Sequence, residues 1–247
     1  MRRPNAEEVV ANLRVIKASF LGVQKLDILF LLGDRFVLVD SGSSVTPEEE
    51  ILPYLEAVGL SPKDLELVVH THAHLDHFGG DAALRRQNPD IKFAMSKADM
   101  GWAENHLKHW NQMYLAYAGE WDPGEEYKAE ILSHCGPNCC IDEVLAENGR
   151  VEVGNGLDLE VVTAPAHSPG HVMFLVREHG VLIAGDAIQG RGVPVPGGEN
   201  VFPFYLDVNS YRASLDRITR IAPETLCTAH FGVMRGDDGS LPSRSSA

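Results

Sequence analysis

Four side chains of metal-ligand type stand within six residues: His72, His74, Asp76 and His77, in the run Val68-Val69-His70-Thr71-His72-Ala73-His74-Leu75-Asp76-His77-Phe78-Gly79-Gly80. Neutral imidazole is a common ligand for zinc and its neighbours, and carboxylate oxygen is its usual companion. A single histidine ordinarily needs no more explanation than one satisfied hydrogen bond. Four such groups at this spacing point to a metal centre. Leu65 to Val69, just before them, is apolar and predicts a short buried strand. Gly79-Gly80 follows, then a helix-like stretch from Asp81 to Gln87. The candidate ligands therefore sit on a strand-to-helix turn, where side chains can converge.

Other short stretches carry compatible groups in order along the chain. They are Val39-Asp40-Ser41-Gly42, Ala164-Pro165-Ala166-His167-Ser168-Pro169-Gly170-His171, Ala184-Gly185-Asp186 and Thr228-Ala229-His230-Phe231-Gly232. Together with H-x-H-x-D-H at His72 to His77, this set resembles the metallo-β-lactamase fold superfamily, from about Leu13 to Gly232. The resemblance implies an α+β chain folded as a four-layer αββα sandwich, with the metals at one edge between the sheets. It also implies a ligand set: His72, His74 and His167 for one ion, Asp76, His77 and His230 for a second, and Asp186 bridging them. Two divalent ions follow, zinc by default, with iron, manganese or nickel as replacements. Two positions depart from the family pattern. Ala166 and Ala229 stand where glycine is usual, which would matter if either needed a positive φ.

Asp40 is expected to hold a ligand imidazole by its other nitrogen, with turn capping as the plain alternative. His70 is expected to be structural. His171 is expected to pack near the site or bond to backbone, and His106, His109, His134 and His179 to be surface or insertion residues. His134-Cys135-Gly136-Pro137-Asn138-Cys139-Cys140 matches no zinc-finger spacing, so free thiols or a local disulfide are expected there.

The 247 residues have a net charge of −14. Such a chain disfavours nucleic acid and anionic membrane as partners and leaves a small-molecule substrate. No apolar run is long enough to span a bilayer, no secretory leader is apparent, and cytoplasm is the expected compartment. The motifs are spread from Asp40 to His230, so one domain, 1–235, must gather them, with 236–247 as a polar tail.

The positioning elements can be read from pattern. Strands are expected over Leu13–Phe20, Leu26–Leu32, Phe36–Val39, Leu65–Val69, Ile91–Met95, Val151–Val153, Leu157–Thr163, Val172–Val176, Val181–Ala184 and Thr225–Thr228. Thr46-Pro47 followed by three glutamates predicts an N-capped helix, and Tyr211 to Ile221 predicts another. From Ser96 to about His134 strand signals vanish, and Trp102, Trp110, Met113, Tyr114 and Tyr117 recur at helical spacing. This predicts a helical insertion whose aromatic stripe packs on the sheet and caps the cleft. Its expected influence is on substrate range more than on metal content. Gln189 to Phe204, rich in Gly and Pro, is expected to be a long loop.

The chemistry implied is hydrolysis by a metal-bridging hydroxide. Ionisation of water on zinc at about pH 7 removes the need for a strong protein base. Asp76 and Tyr205 are the expected catalytic side chains, Tyr205 as an extra oxyanion donor. Trp102, Trp110, Phe202, Phe204 and Tyr205 are expected to line the substrate cleft. A small ester, lactone or thioester suits aromatic walls with few cations. The alternatives are a mononuclear iron oxygenase resembling persulfide dioxygenases, a β-lactam or phosphodiester hydrolase on the same scaffold, and a non-catalytic metal binder.

Overall fold

Alternation along the strands decides the layering. In β3 (Gln24–Leu32), Leu29 and Leu31 enter one buried cluster while Ile28 and Phe30 enter another. Successive side chains of a strand face opposite ways, so β3 is buried on both faces. The structure, a computed structural model, describes residues 5–20, 22, 24–117, 124–190, 192–194, 200–201 and 204–236.

The first sheet has seven strands in the order β1 to β7. They are β1 (Ala6–Val10), β2 (Leu13–Phe20), β3, β4 (Phe36–Val39), β5 (Leu65–Val69), β6 (Lys92–Ser96) and β7 (Glu143–Leu145). β4 to β7 run parallel. The second sheet is built from β8 (Arg150–Val151), β9 (Leu159–Thr163), β10 (Val172–Val176), β11 (Val181–Gly185), β14 (Thr225–Thr228) and β15 (Gly232–Arg235). β12 (Val193–Pro194) and β13 (Asn200–Val201) form a separate ribbon within the segment expected to be a loop.

Val15, Leu31, Val39 and Val69 of the first sheet meet Val161, Phe174, Val181 and Ile183 of the second in the inter-sheet core. The outer face of the first sheet is covered by helices α1 (Leu52–Ala57), α3 (Asp81–Gln87), α4 (Lys97–Ala103) and α5 (His106–Gln112). They bury Tyr54, Leu84, Trp102 and Trp110 against Phe30, Val68 and Phe93. α7 (Val208–Ile221) covers the second sheet through Ile218 over Met173, Leu182 and Leu226. Asp207 caps α7, accepting from Ser210 N–H at 2.6 Å. The layers are therefore αββα, as the resemblance implied. The segment expected as an insertion carries α4, α5, a 3-10 turn at Tyr114–Tyr117 and α6 (Gly124–Ser133).

The strand ends explain why the motifs meet. β4 and β5 are parallel, so Asp40 and His70 emerge side by side. β11 and β14 are parallel too, which places Asp186 and His230 at one end of the second sheet. β10 is antiparallel to both β9 and β11, so the β9–β10 loop with His167 returns to that end. Val172 N–H donates to the Thr71 carbonyl at 2.8 Å and ties the loops of the two sheets together.

Several local expectations are corrected. Thr46 does not cap a helix: it is itself helical (φ −55°, ψ −40°) and makes no capping bond. Its hydroxyl accepts instead from Ser43 N–H at 3.0 Å. Gly42, at φ +75°, turns the chain so tightly that a Cβ there would lie 2.4 Å from Thr46 Cβ. The turn thus takes the hydroxyl that the cap would have used, and a π-type turn over Pro47–Ile51 precedes α1. The strand expected to reach Val153 stops at Val151, because Asp158 accepts from Val153 and Gly154 N–H, both at 2.7 Å. β1, β7 and β15 have no alternation strong enough to be read from sequence. Of the two outcomes expected for the cysteine cluster, free thiols hold: all four cysteines are unpaired, and burial pushes the Cys135 thiol up to about 12.

Candidate metal centre

α2 (Leu75–Phe78) is a single helical turn that starts just after His74 and fans the motif apart. His72 and His74 precede it, in non-helical backbone, while Asp76 and His77 lie on it. Their side chains meet those of three other loops. Ligand-type atoms of His72, His74 and His167 converge, as do those of His72, His77 and Asp186, and those of Asp76, His77 and His230. Within each group the atoms lie within 4.8 Å of one another. All seven expected ligand residues thus meet at one place. The Asp186 Oδ2 atom is central: it is 3.3 Å from His167 Nε2, 3.3 Å from His230 Nε2 and 3.9 Å from His77 Nε2. Asp76 Oδ2 lies 3.4 Å from His230 Nε2 and 3.6 Å from His77 Nε2.

The donor set fits metal ions. The Nε2 atoms of His72, His74, His77 and His167 are buried and have no hydrogen-bond partner in the protein. Buried polar nitrogens left unpaired are costly, about 1–3 kcal/mol each, and native structures seldom keep them without a purpose. The Nδ1 atoms of His72, His77, His167 and His230 are engaged from outside. His77 Nδ1 meets Asp40 Oδ2 at 2.8 Å, His167 Nδ1 the Phe204 carbonyl at 2.7 Å, and His230 Nδ1 the Lys25 carbonyl at 2.7 Å. His72 Nδ1 lies 3.0 Å from Thr71 Oγ1, which itself donates to Asp40 Oδ2 at 2.9 Å. A proton held on Nδ1 leaves the Nε2 lone pair facing inward, which is the tautomer a ligand needs.

Asp40 holds an uncommon backbone conformation for a non-glycine residue, φ +66°. Its carboxylate accepts from Thr71 N–H and Thr71 Oγ1 as well as meeting His77. Turn geometry and imidazole support are therefore one role. Burial would raise the Asp40 carboxyl, but His77 and His70 overcome it and hold it far below the usual range. Burial likewise disfavours the charge on His77, yet Asp76 and Asp40 bring it up to about 9. His72 and His74 go the other way: burial first, then neighbouring imidazoles, hold them well below their ordinary value.

His70 Nε2 lies 3.0 Å from Asp81 Oδ2, and its Nδ1 lies 3.7 Å from Asp40 Oδ1. His171 accepts from Asp186 N–H at 3.1 Å and stacks on His72. Neither Ala166 nor Ala229 has a positive φ, so the absent glycines leave no strain.

The expected cleft residues divide. The Trp102 ring lies nearly parallel to His74 (centroids 6.5 Å, 9°), Phe204 faces both His74 and His167, and Tyr205 faces His167. Trp110 is corrected: only 2% exposed, it stacks on Tyr114 inside the insertion. Phe202 and the tail 237–247 lie outside the described residues. The Tyr205 hydroxyl accepts from Gln189 N–H at 3.1 Å, and its ring stacks on Tyr211. Burial and Tyr211 push it to ionise later than a free tyrosine. These contacts give the expected oxyanion role no support.

Three contributors escaped the sequence reading. Gln189 donates to Asp186 Oδ2 at 3.0 Å and accepts from Phe204 N–H at 2.8 Å. His109, on α5, is buried beside His74 and Trp102. Asp99, on α4, accepts from residues of two ligand loops. None lies in a ligand motif; Gln189 stands three residues beyond Asp186, while only the fold brings His109 and Asp99 near.

Comparison with known proteins agrees with this geometry. The chain is 26% identical over 199 residues to the probable metallo-hydrolase MJ0888 of Methanocaldococcus jannaschii, covering 78% of this chain and 80% of that one. It is 28% identical over 134 residues to an N-acyl homoserine lactonase of Bacillus cereus, covering 54% of this chain and 41% of that one. The fold matches the crystal structure of a metallo-beta-lactamase family protein, TTHA1429, from Thermus thermophilus. The TM-score is 0.75 at 19% identity, over 92% of this chain and 76% of that one. The family model of the metallo-beta-lactamase superfamily matches residues 24–230, which contain every converging ligand-type residue, and the chain belongs to that superfamily.

Proposed function

We propose that this chain is a two-ion hydrolase of a small ester, lactone or thioester. The observation that carries the two-ion reading is Asp186 Oδ2, which approaches an imidazole of each group, His167 and His230, at the same distance. In this reading His72, His74 and His167 hold one ion, Asp76, His77 and His230 the other, and Asp186 reaches both. Bound ions supply a Lewis acid for a substrate carbonyl and bring the pKa of water to about 7.

The protein's own part is positioning. Gln189 fixes the Asp186 carboxylate and thereby the spacing of the two groups. Asp40 and the Lys25 carbonyl aim His77 and His230, and the Phe204 carbonyl aims His167. Asp76 serves as a ligand in this reading and not as a separate proton carrier. Trp102, Phe204 and Tyr205 form an aromatic wall around His74 and His167. Such a wall suits a neutral acyl group, whose charge develops only in the transition state. The net charge of −14 works against polyanions such as RNA. The partial similarity to a lactonase points the same way.

The test is a parallel screen of zinc-, manganese- and iron-loaded protein against lactones, aryl esters, phosphodiesters and β-lactams, with His72→Ala as control. Lactone or ester turnover should exceed the rest and vanish in the control. Activity confined to phosphodiesters, or thiol-dependent oxygen uptake in place of hydrolysis, would overturn the assignment.

A further inference from the structure

The Asp99 side chain, fully buried on α4, touches neither ion group as a ligand, yet it is bonded to both loops that supply the imidazoles His72, His74 and His167. Oδ2 accepts from Ala73 N–H at 2.9 Å and from Ser168 Oγ at 2.5 Å, and Oδ1 accepts from Gly170 N–H at 2.6 Å. Ala73 stands between His72 and His74; Ser168 follows His167 directly. One loop leaves the first sheet and the other belongs to the second. A single carboxylate therefore joins the two sheets at the point where the three imidazoles must meet.

The fit is close. A Cβ on Gly170 would lie 2.7 Å from Asp99 Oδ1 and 2.8 Å from Ser96 Oγ. Only glycine lets this loop come so near. Hydrogen bonds to a carboxylate are short and strong, and outer partners of this kind orient the ligands they hold.

We propose that Asp99 is a positioning residue for the His72/His74/His167 ion, so that the helical insertion is part of the metal centre. It runs against the expectation that the insertion governs substrate range more than metal content. The proposal rests on reading those three histidines as ligands.

The test uses the full chain stripped and reloaded with cobalt(II), followed by its visible d–d bands, and with zinc, followed by competition against a chromophoric chelator. Wild-type protein comes first: failure to bind any ion would sink the ligand reading itself and Asp99 with it. Given wild-type binding, Asp99→Asn keeps the size but places an amide NH₂ among three donors. It should weaken one of the two ions by about 10- to 100-fold and alter the cobalt bands. Ser168→Ala, which removes one bond of the three, should shift both readouts the same way by less, and covers the case in which Asp99→Asn fails to fold. Unchanged affinity and unchanged cobalt bands in folded Asp99→Asn, with only a lower melting temperature, would overturn the proposal. So would wild-type binding and bands in Ser168→Ala if Asp99→Asn does not fold.

Discussion

The two groups of ligand-type residues differ in how the protein holds them. His72, His74 and His167 are all imidazoles, and none of them has a carboxylate at Nδ1: Thr71 Oγ1 meets His72 and the Phe204 carbonyl meets His167. Their loops are tied together from behind by Asp99. Asp76, His77 and His230 instead include a carboxylate, and Asp40 grips His77 directly. Without ions, burial first and then neighbouring imidazoles hold His72 and His74 of the first group low, while Asp76 and Asp40 bring His77 of the second up to about 9. One group thus depends on an ion to satisfy its nitrogens, whereas the other partly satisfies itself.

The strongest way to break this contrast is to remove what the groups share. Asp186→Ala is expected to lose one ion and to cost activity more than the roughly 10–100-fold typical of an outer partner. Elemental analysis and turnover check it; near-normal turnover would mean that Asp186 joins nothing.

Chelation should come next in size. Ions that bind only the folded state stabilise it by about 2.7 kcal/mol at one hundred times Kd. Stripped protein is therefore expected to melt lower by about 5–10 °C, at roughly 2–4 °C per kcal/mol for a chain of this size. Amide exchange should rise more over residues 72–74 and 164–171 than over 76–78 and 228–232. Equal increases would erase the distinction between the groups.

Asp40→Asn sharpens the other side. It is expected to weaken the ion at Asp76, His77 and His230 by about 10- to 100-fold and to affect the first, which Asp40 reaches only through Thr71 and His72, by less. Competition titration should show the mirror image of Asp99→Asn. Loss of both ions together would make Asp40 a support of the whole site.

The smallest expected effect concerns pH in stripped protein. His77 has a folded value raised to about 9 from 6.5, so its contribution is fully present below about pH 6.5 and lost as pH rises through 9. His72 and His74 are held low, so they oppose folding as pH falls below about 6.5. The melting-temperature gap between wild type and His77→Asn should therefore shrink towards pH 9, and that for His72→Asn should change only on the acid side. Gaps independent of pH would contradict the charged-versus-neutral contrast.

Much of the chemistry was legible in the chain because it is local. His72, His74, Asp76 and His77 lie on one turn, and glycines, apolar runs and short motifs mark where strands end at His167, Asp186 and His230. Apolar runs likewise marked most of the strands, while their arrangement as two stacked sheets was what the resemblance implied. What only the tertiary structure decided depends on residues far apart in sequence. Asp99 reaches Ser168 and Gly170 across about seventy positions, Gln189 meets Phe204, and His109 comes to lie against His74. None of these carries a motif, because a hydrogen bond between loops imposes no spacing on either. Trp110 and Trp102 look alike in the aromatic stripe, yet one turns into the insertion and the other onto His74. Helical periodicity assigns a side chain to a face of its helix, and only the packing of the helices decides what that face meets.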